Sequence, residues 1–125
     1  MDKAQALYEF WSSFGWAAYD ENTVPMGKNA PALPYITYST ITDSLGYPVQ
    51  MNASLWSRGT SWEELEKKKD EISRTIDTMY PPAIKIDDGR IYITRGTPFA
   101  QRMADDDPFI RRIYLNVQAE FFTAH

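Results

Sequence analysis

The 125-residue sequence predicts one α+β domain, in which two α-helices pack on one face of an antiparallel or mixed β-sheet of about four to five strands that includes a β-hairpin. Two observations lead to this prediction. Two stretches repeat apolar residues at helical spacing, and the runs between and after them alternate in polarity or are rich in β-branched and aromatic residues. No repeat or linker divides the chain, and its length fits one hydrophobic core.

The first helix is predicted over residues 3–15, because its apolar residues recur at steps of three and four along one helix face. These residues are Ala4, Leu7, Trp11 and Phe14. Gly15 is a plausible end. From Trp16 to Pro34 the pattern gives way to Asn, Asp, Gly and three prolines, which cannot sustain a helix or a central strand. We expect a long loop or arm there.

A strand is predicted from Tyr35 to Thr42, since the run is rich in β-branched and aromatic residues and a turn composition follows it at 43–46. The next run, 49–56, alternates, and the two together predict an antiparallel pair. One face of the second run carries Val49, Met51, Ala53 and Leu55, and the other carries Gln50, Asn52, Ser54 and Trp56.

The second helix is predicted to begin near Thr60 and Ser61, each of which lies three residues before a glutamate and so forms a capping box. Pro81 and Pro82 end it. Its apolar stripe consists of Trp62, Leu65, Ile72, Ile76 and Met79.

A hairpin over 84–94 is predicted with Asp88 and Gly89 at its tip, because tight hairpin turns favour this pair. Residues 96–108 read as irregular. The final strand, from Ile113 to Phe121, alternates so cleanly that it is the clearest in the chain. The sheet face away from the helices is then predicted to be polar and rich in amides.

Composition argues against several functions. There are 13 Lys and Arg against 17 Asp and Glu, a net charge of −4, and the basic residues are scattered, which disfavours tight phosphate binding. The chain has no cysteine, which excludes disulfides and thiolate chemistry. The N-terminal segment is charged, and no run of about 18 apolar residues occurs, so we expect cytosolic synthesis and no membrane association.

No catalytic constellation is recognisable, so we expect no enzyme activity, no cofactor and no metal site. His125 is the only histidine and the last residue, where a catalytic base is hard to hold in place. The acidic run 105–107, with Asp87 and Asp88, could offer oxygens to a hard cation, but a solvated turn explains the run better. Glu120 stands on the polar side of its strand, where a carboxylate faces water.

Several runs together resemble one protein family. They are Leu33-Pro-Tyr-Ile-Thr-Tyr38, Val49-Gln-Met-Asn-Ala-Ser-Leu-Trp-Ser-Arg-Gly59 and the capped Ser61-Trp-Glu-Glu-Leu65. With the N-terminal helix, the Gly-containing hairpin and the closing amphipathic strand, this order resembles the tail terminator or tail-completion (minor tail, neck) proteins of long-tailed bacteriophages and prophages. The resemblance spans nearly the whole chain and rests on element order rather than on a signature motif.

The resemblance implies a structural virion protein, made in the bacterial cytoplasm and located in the tail or neck. Such a protein assembles into a homo-oligomeric ring, commonly a hexamer, which caps the head-proximal end of the tail tube and docks to head-neck proteins. DNA would pass through an acidic ring without specific binding, since like charges repel. The alternatives are a monomeric adaptor or inhibitor domain that uses the same sheet face and, with less support, a small hydrolase.

Three regions are candidate subunit or partner interfaces: the proline-rich arm, the amide-rich sheet face and the hairpin. Trp56 is the strongest single candidate, because alternation places a large aromatic residue on a polar face, although packing under a loop would explain it equally well. The candidate residues are Asp20, Val24, Met26 and Leu33 in the arm, Trp56, Arg58, Asn116 and Gln118 on the face, and Asp88, Arg90 and Tyr92 in the hairpin.

Overall fold

The computed structural model describes residues 3–21, 24, 31–39, 48–59, 61–79, 83–87 and 89–123. The elements, in chain order, are α1 (Lys3–Ser12), β1 (Ala17–Asp20), β2 (Tyr35–Tyr38), β3 (Pro48–Gln50), β4 (Ala53–Arg58), α2 (Glu63–Thr78), β5 (Ala83–Ile86), β6 (Gly89–Met103) and β7 (Ile110–Thr123). The predicted turn at 43–46 lies outside these residues.

The strands of the described ranges form one sheet in the order β1-β2-β4-β7-β6-β5, and β3 also pairs with β7. Because β3 and β4 both pair with β7, the seven strand segments occupy six positions across the sheet. β1 runs parallel to β2, whereas every other described pairing is antiparallel. The predicted α+β class with a mixed sheet is therefore confirmed, but the count of four to five strands was too low.

One additional strand is β1, in the stretch that the sequence predicts to be a loop. Ala17 pairs with Tyr35 and Asp20 with Tyr38 in parallel register. The strand lies at the edge of the sheet and only Ala18 of its four residues is buried, so it leaves almost no apolar pattern in the sequence.

The long strand β6 also departs from the prediction, since residues 96–103 are strand rather than irregular. Its pairing with β7 shifts between Arg95, opposite Val117, and Ala100, opposite Leu115. The four residues between them on β6 face a single residue on β7, which is a β-bulge larger than the common two-to-one type. The bulge changes the phase of the alternation, and that change hides the second half of the strand from a sequence pattern.

Both helices pack on the same face of the sheet, as predicted. On α1 the Trp11 ring stacks on Tyr38 of β2, with ring centroids 6.3 Å apart. On α2 the buried residues are Leu65, Ile72 and Ile76, and they join α1 and the strands in one hydrophobic core. The core also receives residues of β1, β2, β4, β5, β6 and β7, mainly from one face of the sheet, which leaves the residues between them on the opposite face.

The ends of the helices and of the hairpin differ in detail from the prediction. α1 ends at Ser12, three residues early, and Gly15 follows with a φ of 86°, a value that favours glycine. Ser61 Oγ accepts the amide hydrogen of Glu63, at 3.1 Å, rather than that of Glu64, and Thr60 lies outside the described residues. Gly89 pairs with Ile86, so it is the first residue of β6 and not part of the turn.

Candidate interaction surface

The sheet face that points away from both helices is the candidate functional surface, and we call it the open face. Strand alternation and the observed register assign residues to it. Its described residues include Tyr19, Tyr35, Thr37, Ser54, Trp56, Arg58, Lys85, Arg90, Tyr92, Thr94, Met103, Arg112, Tyr114, Asn116, Gln118, Glu120 and Phe122. Arg58 ends β4 at one margin of this face, and Lys85 lies at the other margin, in β5.

Arg112 is central to one half of the open face. Its guanidinium lies 4.7 Å from the centroid of the Trp56 ring and 5.6 Å from that of Tyr114, and its Nε donates to Ser54 Oγ at 3.0 Å. A cation over an aromatic ring is attracted by the ring quadrupole, and Arg stacks especially well. The arginine therefore joins β4 and β7 on the outer side of the sheet.

Besides Arg112, two neighbours hold Trp56 in place. Its Nε1 donates to Thr37 Oγ1 at 3.0 Å, and its ring is 6.4 Å from that of Tyr35. Tyr35 in turn makes an edge contact with Tyr19 at 5.8 Å. Burial, and to a smaller extent Tyr19, raises the pKa of Tyr35, so its hydroxyl stays neutral. The result is an aromatic row across β1, β2 and β4 that is fixed in place while remaining partly exposed.

The other half of the open face holds a shallow depression of about 560 Å³, which we call the Tyr92 depression. It is lined by Gly89, Arg90, Tyr92, Glu120 and Phe122. The rings of Tyr92 and Phe122 meet edge to face, with centroids 5.2 Å apart, and Phe122 is 45% exposed. An apolar floor with charged groups at its margin is suited to receiving a side chain of a partner.

The loop that joins β6 to β7, residues 104–109, is at the opposite end of these strands from the Tyr92 depression. Its Phe109 is 54% exposed. The loop is held in shape by hydrogen bonds: Asp107 Oδ1 accepts the amide hydrogen of Phe109 at 2.8 Å, and the amide of Gly59 donates to the Phe109 carbonyl at 2.7 Å. Arg58 lies 3.7 Å from Asp107 Oδ2. The acidic run is thus an ordered, solvent-facing turn.

Charge is distributed unevenly between the open face and the rest of the molecule. Among the described strand positions of this face, four are cationic and one is acidic, although the whole chain carries a net charge of −4. The cations are Arg58, Lys85, Arg90 and Arg112, and the acid is Glu120. The face thus combines aromatic and basic residues with the amides that the sequence predicts, among them Gln50, Asn116 and Gln118.

The structure places part of the predicted interface set on this face. Trp56, Arg58, Arg90, Tyr92 and Gln118 lie there, together with Asn116. The Asn116 amide is already engaged, because its Nδ2 donates to the carbonyl oxygen of Pro98 at 2.8 Å across the bulge.

The arm residues are arranged differently. Asp20 lies in β1 opposite Tyr38, on the side of the sheet that faces the helices. Burial is the main cause that raises the pKa of Tyr38, and the interaction with Asp20 is the second. Leu33 lines a cleft with Tyr35 and Arg58 of its own chain, and Val24 is half-buried. Met26 and Asp88 lie outside the described residues.

The residues of this surface and of the adjoining loop that were not among the candidates include Lys85, Met103, Phe109, Arg112, Tyr114 and Phe122. Alternation along the final strand could have placed Tyr114 and Phe122 beside Gln118. The contact of Arg112 with Trp56 depends on the register of β4 against β7, which no local pattern specifies.

The acidic residues considered for metal binding are far apart along the β6–β7 pair. Asp105–Asp107 lie in the loop at one end, and Asp87 is in the β5–β6 turn at the other. Within the described part of the chain, no three potential ligands come together to hold a metal ion. His125 lies beyond the described residues. Within the same ranges, no helix is long and apolar enough to cross a membrane.

No protein-family model matches the chain, and no curated protein matches it.

Proposed function

We propose that this protein is a structural subunit of a long-tailed bacteriophage or prophage particle, similar to tail terminator and tail-completion proteins. In this proposal the chain forms a homo-oligomeric ring, commonly a hexamer, at the head-proximal end of the tail tube and docks to head-neck proteins. It binds other protein chains and carries out no reaction. The virion tail or neck is then its location.

The composition of the open face is the main support for this proposal. The helices cover one side of the sheet, and the other side presents partly exposed aromatic rings around Arg112. Trp, Tyr and Arg are the residues most enriched at the energetic centres of protein interfaces. Their side chains are held here by hydrogen bonds and ring contacts, so little conformational entropy is lost when a partner binds.

The uneven distribution of charge between the open face and the rest of the chain is compatible with passage of DNA through the lumen of a ring. If subunit contacts bury the cations of the open face, the surface left in contact with solvent is more acidic than the chain as a whole. An acidic lumen repels the phosphate backbone, so DNA passes without being held.

Sedimentation velocity and negative-stain electron microscopy of the full chain test the proposal. We expect closed rings of uniform subunit number that form with rising concentration. When tail-tube protein from the same genome is added, the rings should bind at tube ends and stop further growth. A chain that stays monomeric with that tube protein present, or that leaves tube length unchanged, contradicts it.

The same face also supports the alternative of a monomeric adaptor or inhibitor domain. The observation that favours this second candidate is that the aromatic row is already complete within one chain. A monomer that co-purifies in one-to-one ratio with a single host or virion protein, and loses it on Tyr114→Ser substitution, would support the adaptor instead of the ring.

A further inference from the structure

We propose that the β6–β7 loop of one copy inserts Phe109 into the Tyr92 depression of a second copy. This inference rests on the proposed ring and names the contact that builds it. The occupant of the depression is therefore a segment of the same chain, presented by a neighbour.

The loop has the chemistry of an inserting element. Phe109 is 54% exposed and Met103, at the end of β6, is 38% exposed, although large apolar side chains are usually covered. Asp105 and Asp106 lie between them in the chain and are exposed. Because hydrogen bonds from the chain itself already hold the loop, it can insert without first becoming ordered.

The Tyr92 depression is complementary to this loop in two respects. Its floor consists of the rings of Tyr92 and Phe122, which meet edge to face. The ring of an incoming Phe109 can pack against this pair in the same geometry, which aromatic rings favour. Arg90 lines the depression, and Lys85 lies directly opposite Arg90 on β5. These two cations can meet the two exposed aspartates of the loop.

Acidic groups near the depression limit which part of it the aspartates can approach. Glu120 lies opposite Tyr92, toward the centre of the sheet, and Asp87 is in the adjoining turn. The aspartates of the incoming loop should therefore lie against Arg90 and Lys85, while Phe109 occupies the floor. Most of the binding free energy is expected from the apolar contact and the selectivity from the charges.

The positions of the two surfaces explain why the contact extends beyond a pair. The β6–β7 ladder runs from Gly89, opposite Thr123, to Met103, opposite Arg112, so loop and depression are at opposite ends of one long element. Because the contact joins two different surface patches, each added copy can bind a further copy in the same way. Repetition of the contact gives a closed ring when the rotation between neighbouring copies brings the last copy back to the first.

Three double variants of the full chain test this docking. The loop variant is Phe109→Ser with Asp106→Lys, and the depression variant is Phe122→Ser with Arg90→Glu. The control is Tyr8→Ser with Arg74→Glu, which changes an aromatic residue that is 51% exposed and an exposed arginine on the two helices, away from the open face. Circular dichroism establishes that each variant is folded.

We expect the loop and depression variants each to raise the concentration at half-assembly by roughly tenfold or more, as for the loss of an interface hot spot. The control should stay within about twofold, because it lies outside the contact. In an equimolar mixture, the depression variant still has a wild-type loop and the loop variant still has a wild-type depression. Each pair can therefore form one contact but cannot bind a further copy, so dimers should form without rings.

Rings that form equally well from all three variants would overturn the docking while leaving the proposed ring intact. A wild-type chain that is monomeric at every concentration, with and without tail-tube protein, would overturn both. If assembly of all three variants is unchanged and only the depression variant loses binding of a labelled single-stranded oligonucleotide, the open face binds nucleic acid and the docking is wrong.

Discussion

Gly96 of β6 lies directly against Asn116 of β7, so closely that a Cβ on this glycine would be 2.9 Å from the Asn116 Cβ and 3.0 Å from its carbonyl oxygen. The glycine is the first residue of the bulge. Two contacts hold the bulge on its other sides: Asn116 Nδ2 donates to the Pro98 carbonyl, and Arg95 Nε lies 2.9 Å from Asp77 Oδ1 of α2. The absence of a side chain at position 96 therefore allows the two longest strands to approach each other.

Gly96→Ala should lower the free energy of unfolding by about 1 to 3 kcal/mol, because the added methyl group meets backbone that cannot move without breaking the ladder. Urea unfolding followed by circular dichroism measures the change. Thr97→Ala, at an exposed neighbouring position, is the control and should stay within about 0.5 kcal/mol. Equal stability of the two variants would show that the strands can separate at the bulge.

Lys68 connects the two helices. Its Nζ donates to the carbonyl oxygen of Phe14, just beyond α1, at 2.6 Å and to Glu71 Oε2 at 2.7 Å, and it lies 5.3 Å from the Trp16 ring centroid. Only 16% of the side chain is exposed. Lys68→Met keeps the apolar stem but removes every polar contact, so we expect a loss of about 1 to 3 kcal/mol in thermal or urea unfolding.

Lys67→Met is the matched control for that substitution. Lys67 pairs with Glu63 on the same helix, but its side chain is 76% exposed. Exposed pairs of this kind contribute little, so the control should change stability by less than about 0.5 kcal/mol. Equal effects of the two substitutions would assign the Lys68 result to helix propensity instead of to the contact with Phe14.

Glu66 is expected to govern part of the acid stability. A hydrogen bond from Lys69 at 2.9 Å, joined by one from Arg102 at 3.0 Å, lowers the pKa of Glu66 below its ordinary value of 4.5. Since the folded state holds this carboxylate ionised, the stabilisation is fully present above about pH 4.5 and is lost as the pH falls further.

Glu66→Gln should therefore reduce stability at pH 7, by roughly 0.5 to 1 kcal/mol for a partly exposed network, and the difference from wild type should shrink toward pH 3. Thermal unfolding across this pH range measures it. Glu64→Gln, at an exposed position of the same helix, serves as the control. A wild-type advantage that stays constant down to pH 3 would contradict the role given to the Glu66 carboxylate.

The sequence predicts best the elements in which the spacing of apolar residues and the local residue types indicate the same structure. In α2 the apolar stripe and Ser61 both mark the helix, and in β4 and β7 alternation separates the buried residues from the open face. β1 was missed because an edge strand of four residues with one buried side chain has too little pattern to detect. The second half of β6 was missed because the bulge shifts the phase of alternation.

The candidate surface was only half predictable for a related reason. Trp56 was identified from alternation within a single strand and Tyr92 from its place in the predicted hairpin, and both signals are local. The contact between Arg112 and Trp56 and the proximity of Arg90 to Phe122 depend on register between strands that are distant in sequence. The amides expected around Gln118 do lie on this face, and aromatic and basic side chains of β7 and of its partner strands lie among them.

The most direct test of the account is hydroxyl-radical footprinting of the full chain at low and high concentration, read by mass spectrometry at individual side chains. The central claim is that the open face is where this molecule meets its partners. We expect Tyr92, Tyr114, Phe122 and Phe109 to become protected as the chain assembles, while Tyr8 on α1 stays reactive. Protection centred on Tyr8 and the helices, or reactivity that does not depend on concentration, would contradict that claim.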